Sequence, residues 1–274
     1  MKYFEFVFHI EPTEVFRDVV LAYIEDLPFD SFEDTETGLK AYTTDPDLQP
    51  ENILPMFADL VEANIVVHRN EVEPKNWNEE WEKNFSPIMV KDQILIYAPF
   101  HLVDHAFAYR IVIEPKMSFG TGHHSTTFLM CEMMLGMELQ GLTMLDMGCG
   151  TGVLAILAEK LGASSVDAID IDDWAFANTK ENLERNNSLR VQAFMGDAEL
   201  LVDQQYDVIL ANINRNILVN DQKKYDRCLK SGGYILISGF YTSDISILLQ
   251  SFNDYELIEE LSQNDWACLR LRKM

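Results

Sequence analysis

The sequence predicts a doubly wound, mostly parallel α/β domain preceded by a small α+β domain, and three observations carry that prediction. From Ser125 onward, runs with helical periodicity alternate with short apolar runs, the pattern of a parallel sheet covered by helices. Within that region, Met144-Leu145-Asp146-Met147-Gly148-Cys149-Gly150-Thr151-Gly152 reads as a buried strand passing through a glycine turn into a helix. Val166-Asp167-Ala168-Ile169-Asp170 then reads as a second strand ending on an acid. Ahead of it, residues 1–73 give the order βαββαβ, which suggests a ferredoxin-like sandwich.

In chain order, Lys2 to Ile10 alternates as a strand does, and Pro12-Thr13 opens an apolar-periodic helix through Ile24. Strands follow near Phe29 to Glu33 and Leu39 to Thr43, parted by Gly38. A helix from about Glu51 to Glu62 and a strand from Asn64 to Val72 complete the unit, which Pro74 closes. Residues 74–84 are a linker whose charged run predicts a short helix. Trp77 and Trp81, four apart on one face, either pack it against the second domain or line the way to its site.

The second domain spans residues 85–274. Strands at Ile88 to Val90, Ile94 to Tyr97 and Tyr109 to Ile113 precede a helix from Ser125 to about Leu139. Strand 143–147, helix 152–161, strand 165–170 and helix 173–186 follow, then strands 191–195 and 206–211, a helix near 216–229 and strand 233–238. Two more strand-like runs after Asn253 predict an antiparallel pair at the sheet edge.

Composition narrows the function. No stretch approaches the roughly 20 apolar residues of a membrane span, and Met1-Lys2-Tyr3-Phe4-Glu5 has no signal-peptide layout, so a cytoplasmic location is expected. Cys131, Cys149, Cys228 and Cys268 are scattered without C-x-x-C spacing, which argues against a zinc site or a disulfide frame. Net charge is -24, and residues 1–84 hold 20 acids against 6 bases. An acidic first domain repels nucleic acid and attracts a basic partner, unless the charge only keeps the chain soluble.

The glycine turn carries the chemistry. Glycine at 148 and 150 lets the backbone approach a ligand, and Gly152 sits where the helix starts. Asp170 lies twenty residues beyond Gly150, where an acid can accept hydrogen bonds from both ribose hydroxyls of an adenosine. Such charged hydrogen bonds contribute roughly 1.5–3 kcal/mol each. The plain alternatives are an ordinary turn and an acid that merely ends a strand. A dinucleotide site wants a third glycine where Val153 stands, which argues against a dehydrogenase.

Further stations accompany the turn. The segment Glu114 to Thr127 contains two glycines and clustered hydroxyls that can hold a ligand's polar end, or simply form a loop and a helix cap. Asp197, in Gly196-Asp197-Ala198 after a strand, can be read as a helix N-cap or as a ligand contact. Asn212 ends the apolar run Val208-Ile209-Leu210-Ala211, so its amide projects from the carboxyl edge of the sheet; a turn-forming Asn is the plain alternative. His123 and His124 fit structural hydrogen bonds better than a catalytic base, no metal-ligand spacing occurs, and Phe119 either flanks a cationic ligand or packs the loop.

Behind an acid, G-x-G-x-G resembles motif I of the class I S-adenosylmethionine-dependent methyltransferases. Phe119 to Thr127, Asp146 to Gly152, Asp170-Ile171-Asp172 and Ala211-Asn212-Ile213 together resemble the methyltransferases of ribosomal protein L-eleven, from about Trp77 to the C-terminus. The resemblance implies a Rossmann-like methyltransferase sheet and S-adenosylmethionine as cofactor. It further implies contacts to that cofactor at Thr127, Gly148, Asp170 and Asn212, with Gly150 in the same turn and Asp197 at the adenine. It implies methylation of lysine side chains and an N-terminal amine of the basic ribosomal protein. From its place at the strand end Asn212 is expected to position the amine, and from their charge residues 1–73 are expected to recognise the substrate. A monomer is expected. Asn214-Arg215 departs from the Ile-Leu that many relatives carry after this Asn, which bears on substrate access. Two other functions keep the same motifs: a class I methyltransferase for another protein or a small molecule, and a nonenzymatic cofactor-binding or ribosome-assembly module.

Overall fold

The computed structural model describes residues 3–72, 85–103, 106–116, 120–202 and 204–274. The expected linker helix with Trp77 and Trp81, and Phe119, lie outside the described residues. The chain divides into two compact units, Met1–Asn84 and Phe85–Met274.

In the first unit, strands β1 (Tyr3–Glu11), β2 (Ser31–Thr35), β3 (Gly38–Thr43) and β4 (Asn64–Val72) form an antiparallel sheet in the order β2-β3-β1-β4. Period-two alternation puts Phe4, Phe6, Phe8 and Ile10 of β1 on one face, where they are buried with Val20 and Ile24 of the helix Thr13–Ile24. Burying side chains of this size contributes roughly 1.5–3 kcal/mol each. On the opposite face Lys40 pairs with Glu5 at 2.8 Å, and Lys40 is the main cause of a Glu5 carboxyl held below its usual range. The expected helix Glu51 to Glu62 is instead a turn of α-helix, Pro50–Ile53, running into a 3-10 turn, Leu54–Phe57. Pro55 has no N–H for the carbonyl of Glu51, so the α ladder cannot continue through it.

The second unit holds two sheets. Strands β5 (Ile88–Val90), β6 (Ile94–Tyr97) and β7 (Tyr109–Val112) form a small one. The large one contains β8 (Thr143–Met147), β9 (Ser165–Asp170), β10 (Val191–Met195), β11 (Tyr206–Asn212), β12 (Leu229–Tyr241), β13 (Tyr255–Gln263) and β14 (Trp266–Lys273). Their order is β10-β9-β8-β11-β12-β14-β13, parallel from β10 through β12, with β14 antiparallel to both neighbours. Strand order reverses at β8, which opens a crevice outside the carboxyl ends of β8 and β11.

Helices cover both faces. Met144 and Val208 face a core with the helices Ser125–Leu135 and Val153–Lys160, whereas Leu145 and Ile209 face one with the helices Arg215–Cys228 and Ile245–Ser251. The helix from Ser125 stops at Leu135 rather than near Leu139, because Gly136 caps it. The seven-residue helix Ile245–Ser251 was not expected, being too short to display a periodicity.

Candidate cofactor site at the carboxyl edge

A cleft of about 490 Å³ opens at that crevice, lined by Met147, Gly148, Gly150, Asp170, Ile171, Asp172, Trp174, Ala175, Gly196, Asp197, Ala198, Asn212, Ile213, Asn214, Ile217, Asp221 and Tyr225. Five of the six residues singled out from the sequence line it: Gly148, Gly150, Asp170, Asp197 and Asn212. The sixth, Thr127, is fully buried and absent from the lining; its hydroxyl accepts from Asn212 Nδ2 at 3.5 Å.

The glycine turn is built from three sides. Gly148 has φ +72°, and a Cβ there would lie 2.2 Å from Ile213 Cγ2, so backbone conformation and space both demand glycine. Gly150 N–H donates to Asp170 Oδ2 at 2.8 Å, while Asp172 N–H donates to Asp170 Oδ1 at 3.0 Å. The helix Asp173–Arg185 secures the turn's carbonyls: Thr179 Oγ1 donates to Gly150 O at 2.8 Å and Asn182 Nδ2 to Thr151 O at 2.9 Å. Thr151 Oγ1 reaches Gly120 O at 2.6 Å, which ties the loop before Ser125 to the same turn.

Helix Asp173–Arg185 has a role the sequence reading missed. Asn178, Asn182 and Asn186 recur every four residues, and their amides hold the backbone of Val112 and Glu114. The spacing was visible, but a stripe of asparagines has no apolar periodicity to attract notice.

Asp146 is 1 % exposed; its Oδ2 accepts from Ala155 N–H at 3.0 Å, and its Oδ1 has no partner among the described residues. Burial pushes its carboxyl up to about 7, opposed by the Ala155 amide and reinforced by Asp170. Asn212 is also buried, and its Oδ1 too has no partner among the described residues. Asp197 caps the 3-10 turn Ala198–Leu200 by accepting from Glu199 N–H at 2.8 Å, so one carboxylate both caps and lines the cleft.

Ile171 and Trp174 stand exposed on the cleft wall although both are large and apolar. Neither was picked out, because exposure is not written in a sequence. Asn214 caps the helix Arg215–Cys228 by accepting from Asn216 N–H at 2.9 Å, and Arg215 pairs with Asp244 at 2.6 Å. His123 Nε2 lies 3.0 Å from Ser86 O, and His124 caps the helix Ser125–Leu135 through Thr126 N–H. Burial holds the His124 ring below its ordinary pKa. Beyond Asn212, across β12, the rings of His124 and Trp266 are 4.6 Å apart and those of Tyr241 and Trp266 4.3 Å apart.

The chain is similar to known proteins. The family model described as ribosomal protein L11 methyltransferase (PrmA) matches residues 21–274. A ribosomal protein L11 methyltransferase of Porphyromonas gingivalis is 45% identical over 284 residues, covering 98% of this chain and 97% of that one. That of Bacteroides thetaiotaomicron is 42% identical over 277 residues, covering 98% and 99%. The crystal structure of a ribosomal protein L11 methylase from Lactobacillus delbrueckii subsp. bulgaricus superimposes with a TM-score of 0.64 at 27% identity, covering 69% of this chain and 100% of that one.

Proposed function

The chain belongs to the ribosomal protein L11 methyltransferase family, and from that premise we propose that it moves methyl groups from S-adenosylmethionine to amines of ribosomal protein L11. The acceptors are lysine side chains and the N-terminal amine. One observation carries the reading to this chain's own residues: the buried Asn212 Oδ1, without a partner among the described residues, at the rim where the glycine turn and Asp170 meet.

The cleft suits this cofactor. An unpaired buried carbonyl oxygen costs about 1–3 kcal/mol, a cost relieved when a ligand N–H arrives. The turn at Gly148 has no Cβ to stand in the way of a ligand. A carboxylate can accept about four hydrogen bonds, and Asp170 accepts two from backbone, which leaves capacity for ribose hydroxyls. Gly148 and Gly150 then border the amino-acid end, and Asp197 the adenine.

When bound, S-adenosylmethionine supplies an electrophilic methyl group on a positively charged sulfur. The chain's own task is alignment and exclusion of water. Thr127 holds the amide of Asn212 from behind, so that Oδ1 can accept an N–H and orient a nitrogen lone pair. That nitrogen must be neutral, and a free lysine is only about 0.1% neutral near pH 7.4, a deficit of about 4 kcal/mol. Carboxylates beside the amine would deepen the deficit. Asp170, Asp172 and Asp197 sit at the β9 and β10 ends of the cleft. The rings of Tyr241, Trp266 and His124 cluster on the β12 and β14 side of the sheet, and no carboxylate belongs to that cluster.

In this reading residues 1–73, with their excess of acids, hold the basic substrate at a distance from the chemistry. A cytoplasmic monomer without direct nucleic-acid binding goes with it. Among the described residues, no helix is long and apolar enough to cross a membrane. Mass spectrometry of unmethylated ribosomal protein L11 incubated with this protein and S-adenosylmethionine tests the whole: successive methyl increments are expected, and an unchanged mass would overturn it.

A further inference from the structure

The cleft runs deeper than the glycine turn and Asp170 require. Ile217, Asp221 and Tyr225 lie four residues apart on the helix Arg215–Cys228, so all three project from one face into it. Tyr225 is fully buried, yet its hydroxyl has no hydrogen-bond partner among the described residues. Asp221 is 7 % exposed, an unusual place for a carboxylate. Its Oδ1 is occupied, accepting from Asn220 Nδ2 at 3.0 Å and from Lys224 Nζ at 2.9 Å. No described residue donates to its Oδ2.

Lys224 also pairs with Glu199 at 2.7 Å, which binds this helix to the 3-10 turn that Asp197 caps. The floor of the cleft is therefore fixed to the wall that Asp197 and Ala198 form. A compartment offering one open carboxylate oxygen and one unpaired hydroxyl suits a polar ligand that presents both a donor and an acceptor. A purely apolar filling would leave both groups unsatisfied.

We propose that Asp221 and Tyr225 read the base of the cofactor: Asp221 Oδ2 accepts from an exocyclic amine, and the Tyr225 hydroxyl donates to a ring nitrogen. The inference rests on the S-adenosylmethionine reading above and extends it, making a second helix face responsible for choosing adenine over hypoxanthine. Hypoxanthine carries a carbonyl oxygen where adenine has its amine, so the Asp221 carboxylate would face a lone pair instead of an N–H. Sites that hydrogen-bond a ligand group reject the analogue lacking it more strongly than apolar pockets reject a change of shape.

Titration calorimetry on the full chain decides it, with S-adenosylhomocysteine and its hypoxanthine counterpart, S-inosylhomocysteine, as probes. The wild-type chain is expected to prefer the adenine compound by at least about tenfold. Asp221→Asn, whose amide can donate to the carbonyl, is expected to bring the ratio to about threefold or less. Tyr225→Phe removes an unpaired oxygen and little packing, so it is expected to melt no lower than wild type while binding the adenine compound about five- to tenfold more weakly. Binding of both probes with undiminished discrimination in Asp221→Asn, or an unchanged affinity in Tyr225→Phe, would overturn this proposal alone. A wild-type chain that binds neither probe would overturn the cofactor reading with it.

Discussion

The amide of Gly150 donates to Oδ2 of Asp170 at 2.8 Å, so the acid that ends β9 braces the turn that ends β8. Asp170→Ala therefore removes a partner for two backbone amides as well as the proposed ribose acceptor. Affinity for S-adenosylmethionine is expected to fall by one to two tenfold steps, about 1.5–3 kcal/mol. Calorimetry giving an unchanged Kd would take Asp170 out of the site.

Asn212→Ala deletes the oxygen proposed to orient the amine and leaves Thr127 in place. Single-turnover methyl transfer is expected to slow by about a hundredfold, the scale seen when one preorganised polar group is lost from an active site. KM for the protein substrate changes far less. A fall in affinity with kcat preserved would instead make Asn212 a binding residue only.

Gly148→Ala puts a Cβ against Ile213 Cγ2 at a backbone angle that costs about 1–2 kcal/mol for a non-glycine residue. With the clash added, denaturant unfolding is expected to show a loss of about 2–4 kcal/mol. Ile213→Ala in the same chain removes the clashing methyl, and the double variant is expected to recover part of the loss. Strictly additive effects would mean that the two residues do not meet.

Asp146 gives stability a pH dependence of definite sign. Its folded pKa, about 7, lies above the unfolded value near 3.8. Between these limits the folded state binds the proton more tightly than the unfolded chain does. Its contribution is thus fully present below the unfolded pKa and is lost as pH rises through 7, with a slope of up to about 1.4 kcal/mol per pH unit. Urea unfolding of wild type and Asp146→Asn from pH 5 to 8 is expected to show the wild type losing stability relative to the variant as pH rises. Parallel profiles would rule out a protonated Asp146.

The acidic bias of residues 1–84 predicts a substrate interaction that salt weakens. Raising ionic strength from about 0.05 to 0.3 M is expected to lower kcat/KM for the ribosomal protein while kcat holds. Salt independence would assign that charge to solubility alone.

The sequence was most informative where function requires residues close together in the chain. Strand β8, its glycine turn and the acid of β9 lie within 27 residues, so one reading frame contained them. Asn212 was found because an apolar strand pointed to its end. That Thr127 stands behind Asn212 rather than in the cleft lining, that Asn182 holds the turn while Asn178 and Asn186 hold Glu114 and Val112, and that Tyr225 lies beneath the cleft all depend on which elements become neighbours. The helix expected from Glu51 to Glu62 failed for a local reason that was present all along, Pro55 in its middle.

The tie between Gly150 and Asp170, with Thr179 and Asn182 holding the bend from the other side, is made entirely by the chain's own groups. The proposed cofactor would then meet a bend already braced by the protein and spend little of its interaction on ordering it. Encounter rather than rearrangement will then govern uptake. In stopped-flow mixing, the observed rate will climb linearly with donor concentration instead of levelling off.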